Sequence, residues 1–207
     1  MPIETTDLLV FLTAALTLNL TPGNDMMFVL GQSLKGGARV GIAASLGIAT
    51  GALMHLGLVA LGVAVLLAQY PAVFNFIRYA GAAYLVWIAW KTLTSPIAAI
   101  GGGVRRSAFA AWRDGALVNL FNPKIIVFFF AFLPPFIRPE HGSALLQLVI
   151  FGTIFNVGGT LINFAVAAFA GKIGEKLSGD ARITTWFARA AAGLFLMLAA
   201  RMAFERR

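Results

Sequence analysis

Two short stretches carry residues that do not belong to their surroundings. One is Thr21-Pro22-Gly23-Asn24-Asp25, inside an apolar run from Leu8 to about Leu30; the other is Asn122-Pro123-Lys124, inside a second run. A carboxylate near mid-membrane is unfavourable by about 2.5–3.5 kcal/mol on insertion scales, and proline removes a backbone donor from a helix. Residues so placed are expected to have a task. Thr21 reads as an N-cap with Pro22 at the first position of a new half-helix, and Asn122 and Pro123 repeat that order. If both helices break there, two helix N-termini and Lys124 point toward one place, which suits a carboxylate. Asp25 offers the opposite charge, for an ammonium group or a proton. The set describes a receptor for a small zwitterion. From the residues alone, prolines that kink continuous helices and a structural Asp25–Lys124 ion pair fit equally well.

Further polar residues sit in two other apolar runs. Gly47, Gly51, His55, Leu58 and Gly62 recur every three or four residues, a flat helix face that admits a close neighbour. His55 projects from it, either to relay a proton or to bond a neighbouring helix. Gly152, Asn156, Gly159, Thr160 and Asn163 form a comparable uncharged stripe, in which Asn156 and Asn163 either contact a ligand or fasten helices. The candidate binding residues are therefore Thr21, Pro22, Gly23, Asn24, Asp25, Asn122, Pro123, Lys124, Asn156 and Asn163, with Asp25 and His55 as proton-coupling candidates. Asp25 and His55 alone are too few intramembrane ligands for a metal site, so neither a metal nor another cofactor is expected.

The elements that must position these residues follow from composition. With 59% hydrophobic and 12% charged residues and a mean hydropathy of +0.85, the chain has too little polar surface to coat a soluble globule of 207 residues. It reads as an all-α integral membrane protein. The +8 charge is scattered between apolar runs and forms no basic stripe, which argues against nucleic acid and for loops facing anionic lipid. The acidic N-terminus lacks Lys and Arg and no cleavage site follows the first run, so no signal peptide is expected. Cysteine is absent.

Six runs approach the roughly 20 residues needed to span a bilayer: about 7–31, 40–67, 73–93, 115–137, 144–170 and 184–204. A linker over 94–114, with Ser95-Pro96, three glycines at 101–103 and Arg105-Arg106, separates a first half (1–93) from a second (115–207). Three helices per half force the halves to enter from opposite sides, so any repeat is an inverted one. Pro22 matches Pro123, Gly51 and His55 match Gly159 and Asn163, and Arg78 matches Arg189, at offsets drifting from 101 to 111. Helices 1 and 4 carry the prolines, so Asp25 and Lys124 fall at similar depth.

External termini put Lys35, Arg39, Lys91, Arg105, Arg106, Arg113, Lys172, Lys176, Arg182 and Arg189 on the cytoplasmic side. Arg78, Arg138, Arg201, Arg206 and Arg207 face out.

TPGND, the glycine-rich GIATGALMH, YLVWIAW and NPKIIVFFFAFLPPF together resemble the lysine exporter (LysE/RhtB) family of bacterial amino-acid exporters, over essentially all six spans. The resemblance implies a bacterial inner-membrane secondary transporter that expels amino acids such as lysine, threonine, homoserine or leucine by proton antiport. Its motifs fall on Thr21 to Gly23 and Asn122 to Lys124. Two positions depart from the family pattern: Asn24 replaces a second proline, and Pro135 replaces a glutamine. The implied partners are an amino-acid substrate, protons and lipid, with the small-residue faces also suiting a homodimer. A small-ion or divalent-metal exporter is the competing class. An enzyme is not expected, because HExxH, paired membrane aspartates and a Gly-x-Ser-x-Gly elbow are missing.

Overall fold

The computed structural model describes residues 3–69 and 107–170, with backbone only over 63–69, and single residues between 76 and 94 and between 189 and 200. The spans expected over 73–93 and 184–204, and most of the linker, lie largely outside these residues. Among the described residues there are six α-helices and no strand: α1 Thr5–Leu20, α2 Asn24–Gly36, α3 Ala38–Gln69, α4 Ala108–Leu120, α5 Pro123–Val127 and α6 Ala144–Ala168. α3, over Ala38–Gly62, and α6 are each long and apolar enough to cross a bilayer. Thr5–Leu20 with Asn24–Gly36, and Ala108–Leu120 with Pro123–Phe136, meet that criterion only as pairs, bent by 45° and 54°.

The two helix breaks are built differently. Thr21 does not act as the N-cap its residue type led us to expect. It is the extended C-cap of α1, and its hydroxyl donates back to the Thr17 carbonyl at 2.6 Å, the local bond that competes with capping in threonine. α2 starts instead from Gly23, without a side-chain cap. At the second break the Asn122 side chain accepts from the Lys124 N–H at 3.1 Å and Pro123 opens α5. α4 begins at Ala108, within the stretch assigned from sequence to the linker, because Ser107 caps it by accepting from the Ala110 N–H at 3.2 Å. After α5 the chain widens into a π-turn, Phe128–Phe132, and tightens at Pro134–Phe136, where two prolines end the helical ladder.

α3 and α4 approach most closely at glycines. A β-carbon at Gly47 would fall on the Trp112 carbonyl oxygen, and one at Gly115 on that of Ala44. The flat face expected from Gly47 to Gly62 is used only in part: Leu58 is exposed, and among the described residues nothing approaches a β-carbon position at Gly62. On the other side Phe11 is fully buried against Phe128, Phe132, Phe136 and Phe151, with ring centroids 4.6–6.4 Å apart. At the second bend Phe128, Phe129, Phe132 and Phe136 are buried and Phe130 is half-buried.

Beyond this aromatic cluster, buried Asp7 accepts from Arg138 Nε at 2.6 Å, and the Gln147 side chain bonds both the N–H and the carbonyl of Arg138 at 2.8 Å. This ties the start of α1 to the loop before α6. Asp7→Ala is expected to destabilise the protein by about 2–3 kcal/mol, below the ~3–5 kcal/mol of a fully buried pair because Arg138 can turn toward water. The thermal midpoint in detergent reads it, and an unchanged midpoint would show the pair to be inert.

Candidate functional site

Where the two bends meet α3 and α6, a cavity of about 30 Å³ is lined by Asn19, Thr21, Asp25, Met26, Ile48, Ala52, Asn119, Lys124, Ile125, Phe155, Asn156, Gly159, Thr160 and Asn163. That volume suits a water or two, not an amino acid. The walls thus stand close together around a polar centre.

The two opposite charges share the cavity without forming an ion pair. The Asp25 carboxylate accepts from Asn119 Nδ2 at 2.9 Å and Asn122 Nδ2 at 3.0 Å. Lys124 Nζ donates to the Leu18 carbonyl at 3.1 Å and the Thr21 carbonyl at 3.3 Å. Each ion is therefore satisfied by neutral dipoles from the other end of the chain. The alternative of a direct Asp25–Lys124 ion pair does not form, because Asn119 of α4 and Asn122 at the break after it bring two amides to the acid, and the broken end of α1 brings two carbonyls to the base. The first N–H groups of α2, which have no acceptor inside the helix, begin beside this point.

Five of the ten candidate binding residues line the cavity: Thr21, Asp25, Lys124, Asn156 and Asn163. The others stand behind it. Asn122 holds Asp25 and caps α5; Pro22 and Pro123 sit at the breaks; Asn24 is exposed at the start of α2. Gly23 lies against Lys124, with the ammonium nitrogen 3.2 Å from where a β-carbon would be. Buried His55 is outside the cavity, its ring stacked on Phe129 and its Nε2 3.4 Å from the Asn119 carbonyl, so Asn119 stands between it and Asp25. Sequence reasoning missed Asn19 and Asn119. Asn19 donates to the Phe155 carbonyl at 3.1 Å and lies against Gly159 of α6. The available signal was an amide in each apolar run, one turn or less before the motif.

The family model for LysE type translocators matches residues 16–206, which includes both breaks and every cavity residue. The chain belongs to the LysE type translocator family. A homoserine/homoserine lactone efflux protein of Salmonella typhimurium is similar to it at 29% identity, over 95% of each chain. A leucine efflux protein of an Enterobacter species is 31% identical over 77% of this chain and 75% of its own. A membrane protein of Vibrio cholerae with no assigned function is 32% identical over 81% and 82%. No solved structure matches. As a member of the LysE family the chain is a membrane protein of a transporter family, which sets the cavity between its bends in the context of translocation.

Proposed function

We propose that the protein is a bacterial inner-membrane secondary transporter that exports amino acids or close derivatives from the cytoplasm by proton antiport. The observation that carries this reading is the cavity in which Asp25 and Lys124 meet at two bent helix pairs. Each bent pair is read as one membrane span broken at its proline, giving six spans in two inverted three-helix repeats with external termini. The repeat is supported by an echo in the third and sixth spans: Ala82 and Ala89 are buried, and so are Ala192 and Ala199, each 110 residues later.

The substrate carboxylate meets the amide end of α2 near Gly23 together with Lys124, and its amino group approaches Asp25. Pro22, Asn24, Asn122 and Pro123 set the breaks, while Asn156 and Asn163 face the side chain. Asp25 also takes the coupling proton, and His55, bonded to the Asn119 carbonyl, is the second proton-coupling candidate. The wall formed by Asn19, Asn156, Thr160 and Asn163 carries no second acid, which supports a neutral polar side chain over a cationic one. Relatives named for homoserine and leucine efflux agree with a neutral substrate. The small volume corresponds to a closed state, and rocking of one half against the other opens the site to each side in turn. Gly47 and Gly51 are taken up by α4 and Gly152 by Leu56 of α3, so these contacts within the chain leave the homodimer without support from the small-residue faces.

Vesicles preloaded with basic, hydroxylated neutral or branched amino acids, with and without a proton gradient, test this reading. Saturable efflux of the hydroxylated neutral class, accelerated by the gradient, is expected. Flux that neither saturates nor responds to the gradient would replace it with a passive pore.

A further inference from the structure

The Lys124 ammonium, the cation offered to a substrate carboxylate, is already engaged by the carbonyls of Leu18 and Thr21. Both acceptors are products of the local sequence. In an uninterrupted helix the Leu18 carbonyl accepts from the N–H of residue 22, and Pro22 has none. Thr21 is extended at the end of α1, so its carbonyl has left the helical ladder. Two carbonyls at the negative end of a helix therefore converge on one ammonium, and Gly23 leaves the space it needs. Bare, they would be unsatisfied polar groups in an apolar setting.

We propose that the Leu18 and Thr21 carbonyls form a subsite for a primary ammonium group, which Lys124 fills from within the chain when no substrate is bound. From the cavity, which Thr21, Asp25 and Lys124 line, the amino group of a substrate follows the withdrawing Lys124 onto these carbonyls, and its carboxylate becomes the counter-ion of the released Lys124. One ammonium replaces another on the same acceptors, so neither state leaves them bare. Lys124 is thus a tethered surrogate for the substrate's amino group. This assignment rests on the cavity being the substrate site, but its test does not read transport.

Lys124→Ala removes three carbons and the ammonium, the size of n-propylammonium. Saturating n-propylammonium is expected to raise the thermal midpoint of the purified variant by about 5 °C. It should leave wild type, and the double variant Pro22→Ala/Lys124→Ala, unmoved, because replacing the proline returns an N–H to the Leu18 carbonyl. n-Propanol, similar in size but uncharged, should not substitute. If Lys124→Ala aggregates on extraction, propylammonium and not propanol is expected to recover monodisperse protein. No shift and no recovery, or equal effects of the alcohol, would overturn the subsite. Vesicles that lack gradient-driven efflux alongside intact propylammonium binding would overturn only the transport reading.

Discussion

Asp25→Asn is expected to lower amino-acid efflux from preloaded vesicles by roughly 100-fold, the equivalent of a charged hydrogen-bonding group worth about 2–3 kcal/mol, while the protein still folds. The carboxylate accepts two amide N–H groups, whereas an asparagine there offers one acceptor and one donor. One facing amide must turn. Asn122 is not free to do so, because its oxygen caps α5 through the Lys124 N–H. Asn119 can, because its side-chain oxygen has no partner among the described residues. The substitution is thus accommodated by one flip, and what it removes is the negative charge that attracts an ammonium or a proton. Initial efflux rates and the thermal midpoint should be read on one preparation. Efflux within about threefold of wild type would take Asp25 out of the mechanism.

Pro22→Ala is expected to act in the opposite sense on stability. Pro22 lies in the break between α1 and α2, where a continuous helix would carry a proline cost of about 3 kcal/mol or more; alanine removes that obstacle to joining the two and should leave the thermal midpoint unchanged or raised. The new N–H offers the Leu18 carbonyl a partner one turn away and lets α1 run toward α2, reducing the 45° bend. Lys124 then loses an acceptor, and the amide end of α2 withdraws from the cavity. Efflux should fall at least about tenfold, against a fully extracted and monodisperse variant. A variant with wild-type efflux would show the bend to be incidental.

Much of this arrangement is legible in the sequence because proline and ions in apolar runs are conspicuous. The helix ends near Pro22 and Pro123, the long apolar α3 and α6, and the residues Thr21, Asp25, Lys124, Asn156 and Asn163 all announce themselves by type. What they touch does not. The residue type of Thr21 suggests a cap, yet a carbonyl one turn back takes its hydroxyl. Asp25 and Lys124 read as natural partners, yet α4 and the end of α1 supply amides and carbonyls closer to each. Asn19 and Asn119 pass as ordinary polar interruptions because their importance comes from Phe155 and Asp25, 136 and 94 residues away in the chain. The start of α4 was missed for a plainer reason: its first turns carry Arg113 and Asp114, which lower the hydropathy below that of a span.

The solvation of the two ions is crossed. Asp25 comes from α2 and is held by amides from α4 and its end, whereas Lys124 comes from α5 and is held by carbonyls from α1. Sliding these helices apart at that depth strips an anion and a cation of their partners together, in a medium that offers no replacement. Tilting about that depth keeps both sets in reach. In the proposed rocking motion this lacing would be the fulcrum, keeping both ions partnered as the halves tilt until a substrate takes over the carbonyls from Lys124.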